Sequence, residues 1–231
     1  MQPLWQRSWF DIQLSSVGKT SRRHLASGSF YRDFYGAFLA RYTDYEQLPA
    51  QWLDLKRQVA QDLMGMACSN ESILSIGCGI GYVETLMARA GFTRITAIEP
   101  NIGTSALISS AVDFRMGYFP EATPEDSYTF AFASSIDYAM SDWEYEQFLK
   151  SIWSSGVPTF VLANLPLPTR SFSGKEWFIT TMRSFLPGTQ FWGWLRSLDE
   201  HVDALTQAGW PRVDAGRHGN TNTYWLRVTR E

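Results

Sequence analysis

An apolar run that ends in three alternating glycines constrains the fold of this chain more than any other stretch. Residues 72–84 read SILSIGCGIGYVE, so Gly77, Gly79 and Gly81 directly follow a predicted buried strand. Glycine accepts positive φ angles and lacks the Cβ that would keep a ligand away from the backbone. A predicted helix begins after Gly81, and its N-terminus favours negatively charged groups such as a carboxylate. The stretch therefore predicts a strand, a ligand-binding turn and a helix.

Strands and helices alternate along the remainder of the chain. Besides 73–76, short apolar runs predict strands at 95–98, 112–115, 128–133 and 159–163. Capping boxes that begin at Ser141 and Ser197 predict the starts of two helices. The apolar runs at 210–215 and 224–229 are joined by a polar loop too short for a helix, which predicts an antiparallel hairpin. We therefore predict an α/β fold with a Rossmann-like, doubly wound, mostly parallel seven-stranded sheet and a C-terminal antiparallel hairpin.

The composition is that of a globular protein and argues against several classes. Of the 231 residues, 19% are charged and the net charge is −3, whereas nucleic-acid-binding proteins are usually strongly basic. No apolar run approaches the length of about 18 residues that predicts a membrane span. Cys68 and Cys78 do not form a disulfide framework, and the first residues lack the apolar run of a signal peptide. We expect a cytoplasmic protein with no nucleic-acid partner and no membrane span.

An acidic residue at the end of the second predicted strand narrows the choice of ligand. Glu99 stands where an acid accepts hydrogen bonds from ribose hydroxyls in nucleotide-binding folds. The dinucleotide fingerprint needs its third small residue at position 82, where this chain has Tyr82. The glycine spacing therefore disfavours NAD, and an NAD-dependent oxidoreductase is retained only as an alternative.

The glycine loop and the acid together resemble a known family. Residues 73–81, followed by Ile98-Glu99-Pro100, resemble the first two motifs of class I S-adenosylmethionine-dependent methyltransferases. The resemblance covers roughly 70–165, and the terminal hairpin fits the last two strands of that fold. It implies that the cofactor is S-adenosylmethionine (SAM), with its methionine part at the glycine loop and its ribose at Glu99. We expect the cofactor to bind at the following residues: Tyr31, Gly77, Cys78, Gly79, Gly81, Glu99, Pro100, Gly117, Tyr118 and Ser134.

Two departures from the family pattern keep another function open. Ser75 stands where the family commonly has an acid that helps to hold the amino group of the cofactor. After the third predicted strand, the family often has an Asp that meets the adenine amino group, but this chain reads RMGYF at 115–119. We expect the adenine to contact backbone and a stacked ring there instead, at Gly117 and Tyr118. A non-catalytic SAM-binding partner subunit is therefore a second alternative.

Candidates for catalysis follow the fourth predicted strand, where the cofactor and the acceptor meet in this family. Asp137 and Tyr138 are candidates for orienting or deprotonating an acceptor hydroxyl, although an ordinary turn also suits these residues. His201 is a further candidate, although its place on the apolar side of a helix also suits a structural role. His218, in the hairpin loop, is expected to be solvated, and His24 is placed to contact an anionic substrate. No cluster of His, Cys and carboxylate residues has metal-ligand spacing, so we predict no metal site.

Aromatic residues make up 15% of the chain and crowd 28–52 and 172–194. We predict that the helix at 31–42 covers the cofactor as a lid. We predict that the insert at 166–196 lines a pocket for a small molecule or a saccharide, methylated at oxygen rather than nitrogen. Both clusters also suit ordinary core packing. The predicted single domain comprises a loosely ordered arm and aromatic cap (1–66), a cofactor-binding core (67–165), the insert (166–196) and a last helix with the hairpin (197–231).

Overall fold

The computed structural model describes residues 1–18, 28–124, 127–166 and 174–231. His24 therefore lies outside the described residues. The N-terminal elements are β1 (Gln2–Gln6), β2 (Ser8–Trp9), β3 (Ile12–Gln13), α1 (Leu14–Val17), α2 (Gly28–Arg41) and α3 (Ala50–Met66). Between α2 and α3 the chain forms a short 3₁₀ turn at Tyr45–Gln47, followed by Pro49. Residues 42–49 separate the two helices and α3 begins directly after Pro49, so the long helical pattern of this region divides in two.

Outside the aromatic insert, the remaining strands and helices follow the order that the sequence predicts. They are β4 (Ile73–Ile76), α4 (Tyr82–Arg89), β5 (Ile95–Glu99), β6 (Asp113–Met116), β7 (Phe130–Ser134), α5 (Asp142–Ser154), β8 (Thr159–Leu165), α6 (Gly174–Arg183), β9 (Gln190–Leu195), α7 (Leu198–Gln207), β10 (Arg212–Arg217) and β11 (Tyr224–Thr229). Both predicted capping boxes are present, at Ser141 and Ser197. Strand β9 was not predicted, because its sequence was interpreted only as part of an aromatic insert.

The main sheet has seven strands in the order β10-β11-β8-β7-β4-β5-β6. Strands β8, β7, β4, β5 and β6 are parallel, while β11 pairs antiparallel with β8 and with β10. The predicted fold class, including the terminal hairpin, is confirmed. The chain leaves β4 toward β5 on one side and returns to β7 on the other. Ligands of such sheets bind at this reversal of strand order, beyond the carboxyl ends of the strands.

The two faces of the sheet carry separate apolar clusters. Ile73 and Ala97 pack with α3 and α4 on one face, whereas Leu74 and Ile98 pack with α5 and α7 on the other. This alternation follows from the two-residue period of a strand. No helix in the described part of the chain is long and apolar enough to cross a membrane.

The N-terminal segment and the aromatic insert form a third layer over the end of the sheet. Strand β1 pairs antiparallel with β9, and Trp192 of β9 is buried in a cluster with Phe34 and Phe38 of α2. The expectation of a loosely ordered arm is therefore wrong for its described residues, 1–18. The partner of β1 lies far away in the sequence, so local composition did not indicate the strand.

Candidate cofactor and acceptor site

The glycine loop adopts a conformation that other residues rarely accept. Gly77, Gly79 and Gly81 have φ angles of 70°, 56° and 66°. A Cβ on Gly77 would lie 2.6 Å from Ile136 Cγ2, and one on Gly81 would lie 2.4 Å from Ile108 Cγ1. Helix α4 begins directly after Gly81. The loop therefore needs glycine, and it brings bare backbone to the carboxyl end of β4.

Glu99 lies beside this loop with a fixed orientation. Its Oε2 accepts a hydrogen bond from Gly79 N and its Oε1 accepts one from Asn101 N, both at 3.1 Å. Burial raises the pKa of Glu99 to about 7, although these two hydrogen bonds lower it. Each carboxylate oxygen can accept a second hydrogen bond. A diol such as ribose would match the two oxygens.

A cavity of about 1030 Å³ lies above the carboxyl ends of β4, β5 and β7. The predicted site residues that line it are Tyr31, Gly77, Cys78, Gly79, Glu99, Pro100, Gly117, Tyr118, Ser134, Asp137 and Tyr138. Gly81 and His201 do not line it. The fold therefore gathers residues from five separate parts of the chain around one space.

Lys56 and Glu84 line the same cavity on the side of α3 and α4. Lys56 Nζ donates to Ser134 Oγ at 3.0 Å, and Ser75 Oγ donates to Glu84 Oε1 at 2.5 Å. Burial lowers the pKa of Lys56 to about 8 and raises the pKa of Glu84. Lys56 remains largely protonated at neutral pH, so two buried, ionisable side chains of opposite charge type border the cavity.

A chain of polar contacts continues from the serines to the terminal hairpin. Ser135 Oγ accepts a hydrogen bond from Asn164 Nδ2, and both residues have a φ of 60°. Asn164 N donates to His218 Nε2 at 3.0 Å, while His218 Nδ1 lies 2.6 Å from Asp62 Oδ2. His218 is fully buried, so the expectation of a solvated His218 is wrong. Ser135 and Asn164 therefore have left-handed backbone conformations, and they lie at the ends of adjacent strands. For residues other than glycine this conformation is strained, and such strain is often found at functional sites.

Aromatic side chains from three elements form the opposite wall. The Tyr31 hydroxyl of α2 lies 3.4 Å from the Tyr138 hydroxyl, and the Tyr138 ring stacks on Trp192 of β9 at 5.8 Å. Burial raises the pKa of Tyr31 to about 12 and the pKa of Tyr138 well above its usual value. Both hydroxyls are therefore neutral, and both can donate a hydrogen bond to a ligand oxygen.

Asp137, which lines the cavity, and His201, which does not, belong to a buried polar cluster next to this wall. His201 Nδ1 lies 2.8 Å from the Tyr145 hydroxyl, and His201 Nε2 is 3.7 Å from Asp137 Oδ2, beyond hydrogen-bond range. Arg196 donates to the Asp137 carbonyl at 2.7 Å. Burial raises the pKa of Asp137 to about 6, with Arg196 opposing it, and lowers the pKa of His201 to about 3. His201 is therefore a neutral side chain whose hydrogen bond is with Tyr145, whereas Arg196 supports the turn at Asp137–Ala139.

Solved structures share this architecture at low sequence identity. A magnesium protoporphyrin IX methyltransferase from Synechocystis PCC 6803 with bound SAH is 13% identical, with a TM-score of 0.63 over 88% of this chain and 99% of that chain. DhpI in complex with SAM and HEP is 17% identical, with a TM-score of 0.63 over 92% of this chain and 100% of that chain. The chain has the class I methyltransferase fold.

A further similar structure belongs to a longer protein. Human N-acetylserotonin methyltransferase in complex with SAM is 14% identical, with a TM-score of 0.64 over 97% of this chain. This chain spans 63% of that longer protein. No protein-family model and no curated protein matches the sequence.

Sequence reasoning missed three residues that the methyltransferase fold brings to the cavity. Lys56 lies on the apolar stripe of α3 between Leu53 and Val59, and a lysine at such a position is a signal that the sequence does carry. Glu84 lies in the first turn of α4 and is buried, where an exposed acid would be usual. Trp192 was interpreted only as one of many rings of the insert.

Proposed function

We propose that this chain binds SAM and transfers its methyl group to the oxygen of a small-molecule acceptor. The observation that carries the proposal is the buried Glu99 carboxylate, fixed beside a loop that only glycine can form, at the floor of one large cavity. The three solved structures compared above contain SAM or SAH. The fit of fold, loop and acid supports an adenosyl cofactor in this cavity.

The residues of the site suit the parts of that cofactor. Glu99 would accept hydrogen bonds from the ribose hydroxyls, and the Gly77–Gly79 backbone would pass beside the methionine part. Gly117 and the exposed ring of Tyr118 would border the adenine. When bound, SAM supplies a methyl group on a positively charged sulfur. The protein contributes alignment of the acceptor and exclusion of water, which account for much of the catalysis of such a displacement.

The aromatic wall supports an acceptor that presents a hydroxyl group on a flat or ring-shaped body. Trp192 and Tyr138 offer stacked faces, and the Tyr138 hydroxyl can orient an acceptor oxygen. The sequence placed Tyr31 at the cofactor, but its hydroxyl lies 3.4 Å from that of Tyr138, so we propose that Tyr31 orients the acceptor as well. Their raised pKa values make them poor bases at neutral pH. Asp137 lines the cavity and is ionised at neutral pH. Asp137 therefore remains our candidate for accepting the acceptor proton, while Tyr138 orients the acceptor.

The second candidate is a SAM-binding subunit without activity. It was motivated by the absence of an acid at position 75 and of an Asp after the third predicted strand. The contact between Ser75 and the buried carboxylate of Glu84 weakens the first motive, because an acid is present nearby.

A thermal-shift panel with SAM, SAH and NAD tests the proposal. We expect SAM and SAH, and not NAD, to raise the melting temperature. SAH formation is then measured with a series of hydroxylated aromatic compounds and sugars as acceptors. Binding without SAH formation from any acceptor would favour the non-catalytic subunit, and a shift with NAD alone would overturn the proposal.

A further inference from the structure

Glu84, a buried acid on α4, lies close to Ser75 of β4, the position where the methyltransferase family commonly has an acid. Ser75, which is 1% exposed, donates its hydroxyl proton to Glu84 Oε1 at 2.5 Å. The second oxygen, Glu84 Oε2, is buried and has no hydrogen-bond partner among the residues that the structure describes. A buried carboxylate oxygen without a partner is costly, and a donor from a ligand removes that cost. Because Glu84 lines the cavity, a bound molecule can provide the donor.

Lys56 supplies the opposite charge on the same side of the cavity. Its Nζ donates to Ser134 Oγ at 3.0 Å and to Ser135 Oγ at 3.4 Å, and an ammonium group has a third proton for a further acceptor. Lys56 is 9% exposed. Its charge lowers the pKa of Glu84, against the larger effect of burial. Within the described ranges, the two side chains make no ion pair of 4.0 Å or less. The two side chains, of opposite charge type, therefore border the space without forming a direct ion pair.

We propose that Lys56 and Glu84 bind the zwitterionic amino-acid end of SAM, with Lys56 at the α-carboxylate and Glu84 at the α-ammonium. This inference rests on the proposed function, because it assumes that the adenosyl end lies at Glu99. The amino-acid end of SAM carries a negative carboxylate and a positive ammonium group. Lys56 and Glu84 can each bind one of these groups, because the two side chains do not pair with each other. In this chain the acid would therefore be Glu84, in the first turn of α4, and not residue 75 on β4. Ser75 orients Glu84 through their hydrogen bond.

A structural role for the same pair makes a different prediction. If Lys56 and Glu84 only stabilise the fold, their replacement lowers stability and weakens every adenosyl ligand alike. If they bind the amino-acid end, replacement weakens only those ligands that carry it. Four probes distinguish the two cases: SAH, 5′-methylthioadenosine, SAH without its amino group and SAH without its carboxylate.

The experiment is titration calorimetry of these probes with the wild-type chain, Glu84→Gln and Lys56→Met. Glu84→Gln keeps the length of the side chain, Lys56→Met shortens it by one atom, and both replacements remove the ionisable group. We expect each variant to weaken SAH by about tenfold or more, and to change the affinity for 5′-methylthioadenosine by less than about twofold. Glu84→Gln should not weaken the binding of the probe without an amino group any further. In the same way, Lys56→Met should not weaken the binding of the probe without a carboxylate any further. Glu121→Gln, which removes an exposed carboxylate at the same cavity, serves as the control.

The wild-type chain alone also tests the inference if a variant fails to fold. Removal of either charged group from SAH should weaken binding to the wild type by about tenfold. Equal affinity of the wild type for SAH and 5′-methylthioadenosine would overturn the inference and leave the proposed function intact. If the variants lost affinity for all four probes by the same factor, the inference would also be overturned and the proposed function left intact. If the wild type bound none of the probes, the proposed function and this inference would both be wrong.

Discussion

The two walls of the cavity are built in different ways. The wall to which we assign the cofactor, here called the cofactor wall, comes from one continuous strand, loop and helix, with Glu99 contributed by the adjacent strand. The wall to which we assign the acceptor, here called the acceptor wall, combines Tyr31, Tyr138 and Trp192, which lie on three elements far apart in the sequence. A wall encoded locally can be recognised from its motif, whereas a wall assembled from distant elements depends on tertiary packing. Substitutions should therefore affect cofactor binding and acceptor use separately.

The largest effect is expected from a side chain in the glycine loop. Gly79 has a φ of 56°, and a Cβ there would lie 3.1 Å from the Tyr35 hydroxyl. Gly79→Val should therefore weaken SAH by about a hundredfold or more in calorimetry, because it combines backbone strain with a branched group in the cofactor wall. Gly91→Val is the matched control, since Gly91 also has a positive φ of 98° but no atom within 4 Å of its Cβ. A normal SAH affinity in Gly79→Val would remove the cofactor from this wall.

The next effect concerns the pH dependence of cofactor binding. Glu99 has a pKa raised to about 7 by burial, so its carboxylate fraction increases between pH 6 and pH 8. Because the ionised form accepts the ribose hydrogen bonds, affinity should rise by about tenfold across this window. The ligand should be 5′-methylthioadenosine, which lacks the amino-acid end and therefore avoids the titration of Lys56. Glu99→Gln should show a flat profile, and an identical slope in that variant would assign the pH dependence to another group.

A smaller effect is expected on the acceptor wall. Tyr138→Phe removes a hydroxyl that lies 3.4 Å from that of Tyr31 and keeps the ring stacked on Trp192. We expect kcat/KM for the acceptor to fall by about fivefold, with SAH affinity unchanged. Tyr118→Phe, which alters a hydroxyl on the cofactor side, should leave acceptor kinetics unchanged. Equal losses of SAH affinity and acceptor kcat/KM in Tyr138→Phe would contradict the separation of the two walls.

The smallest effect on activity is expected from His201. It does not line the cavity, and burial keeps it neutral. His201→Gln should lower the melting temperature, because it disturbs the contact with the Tyr145 hydroxyl at 2.8 Å. The kcat/KM for the acceptor should change by less than about threefold, because a buried residue outside the cavity does not touch the reacting atoms. A loss of about a hundredfold or more would make His201 part of the catalytic machinery.

The sequence predicted the sheet and the cofactor wall because both are specified over short distances. The strand that ends in Gly77, the acid at the end of β5 and the terminal hairpin all follow from local pattern. The pairing of β1 with β9 was missed because its partners are nearly two hundred residues apart. The burial of His218 was missed for the same reason, since Asp62 on α3 holds the hairpin loop. Lys56 carried a local signal, as a lysine on an apolar stripe, that was not used.

Calorimetric titration of SAH with Glu99→Ala tests the central claim most directly. If the carboxylate accepts hydrogen bonds from the ribose hydroxyls, its removal costs about 1.5–3 kcal/mol, which corresponds to a loss of about ten- to a hundredfold in affinity. Glu99→Gln should lose less, because its amide oxygen remains an acceptor. Circular dichroism establishes that both variants are folded. A folded Glu99→Ala that binds SAH with the wild-type dissociation constant would contradict the assignment of Glu99 and of the cofactor wall.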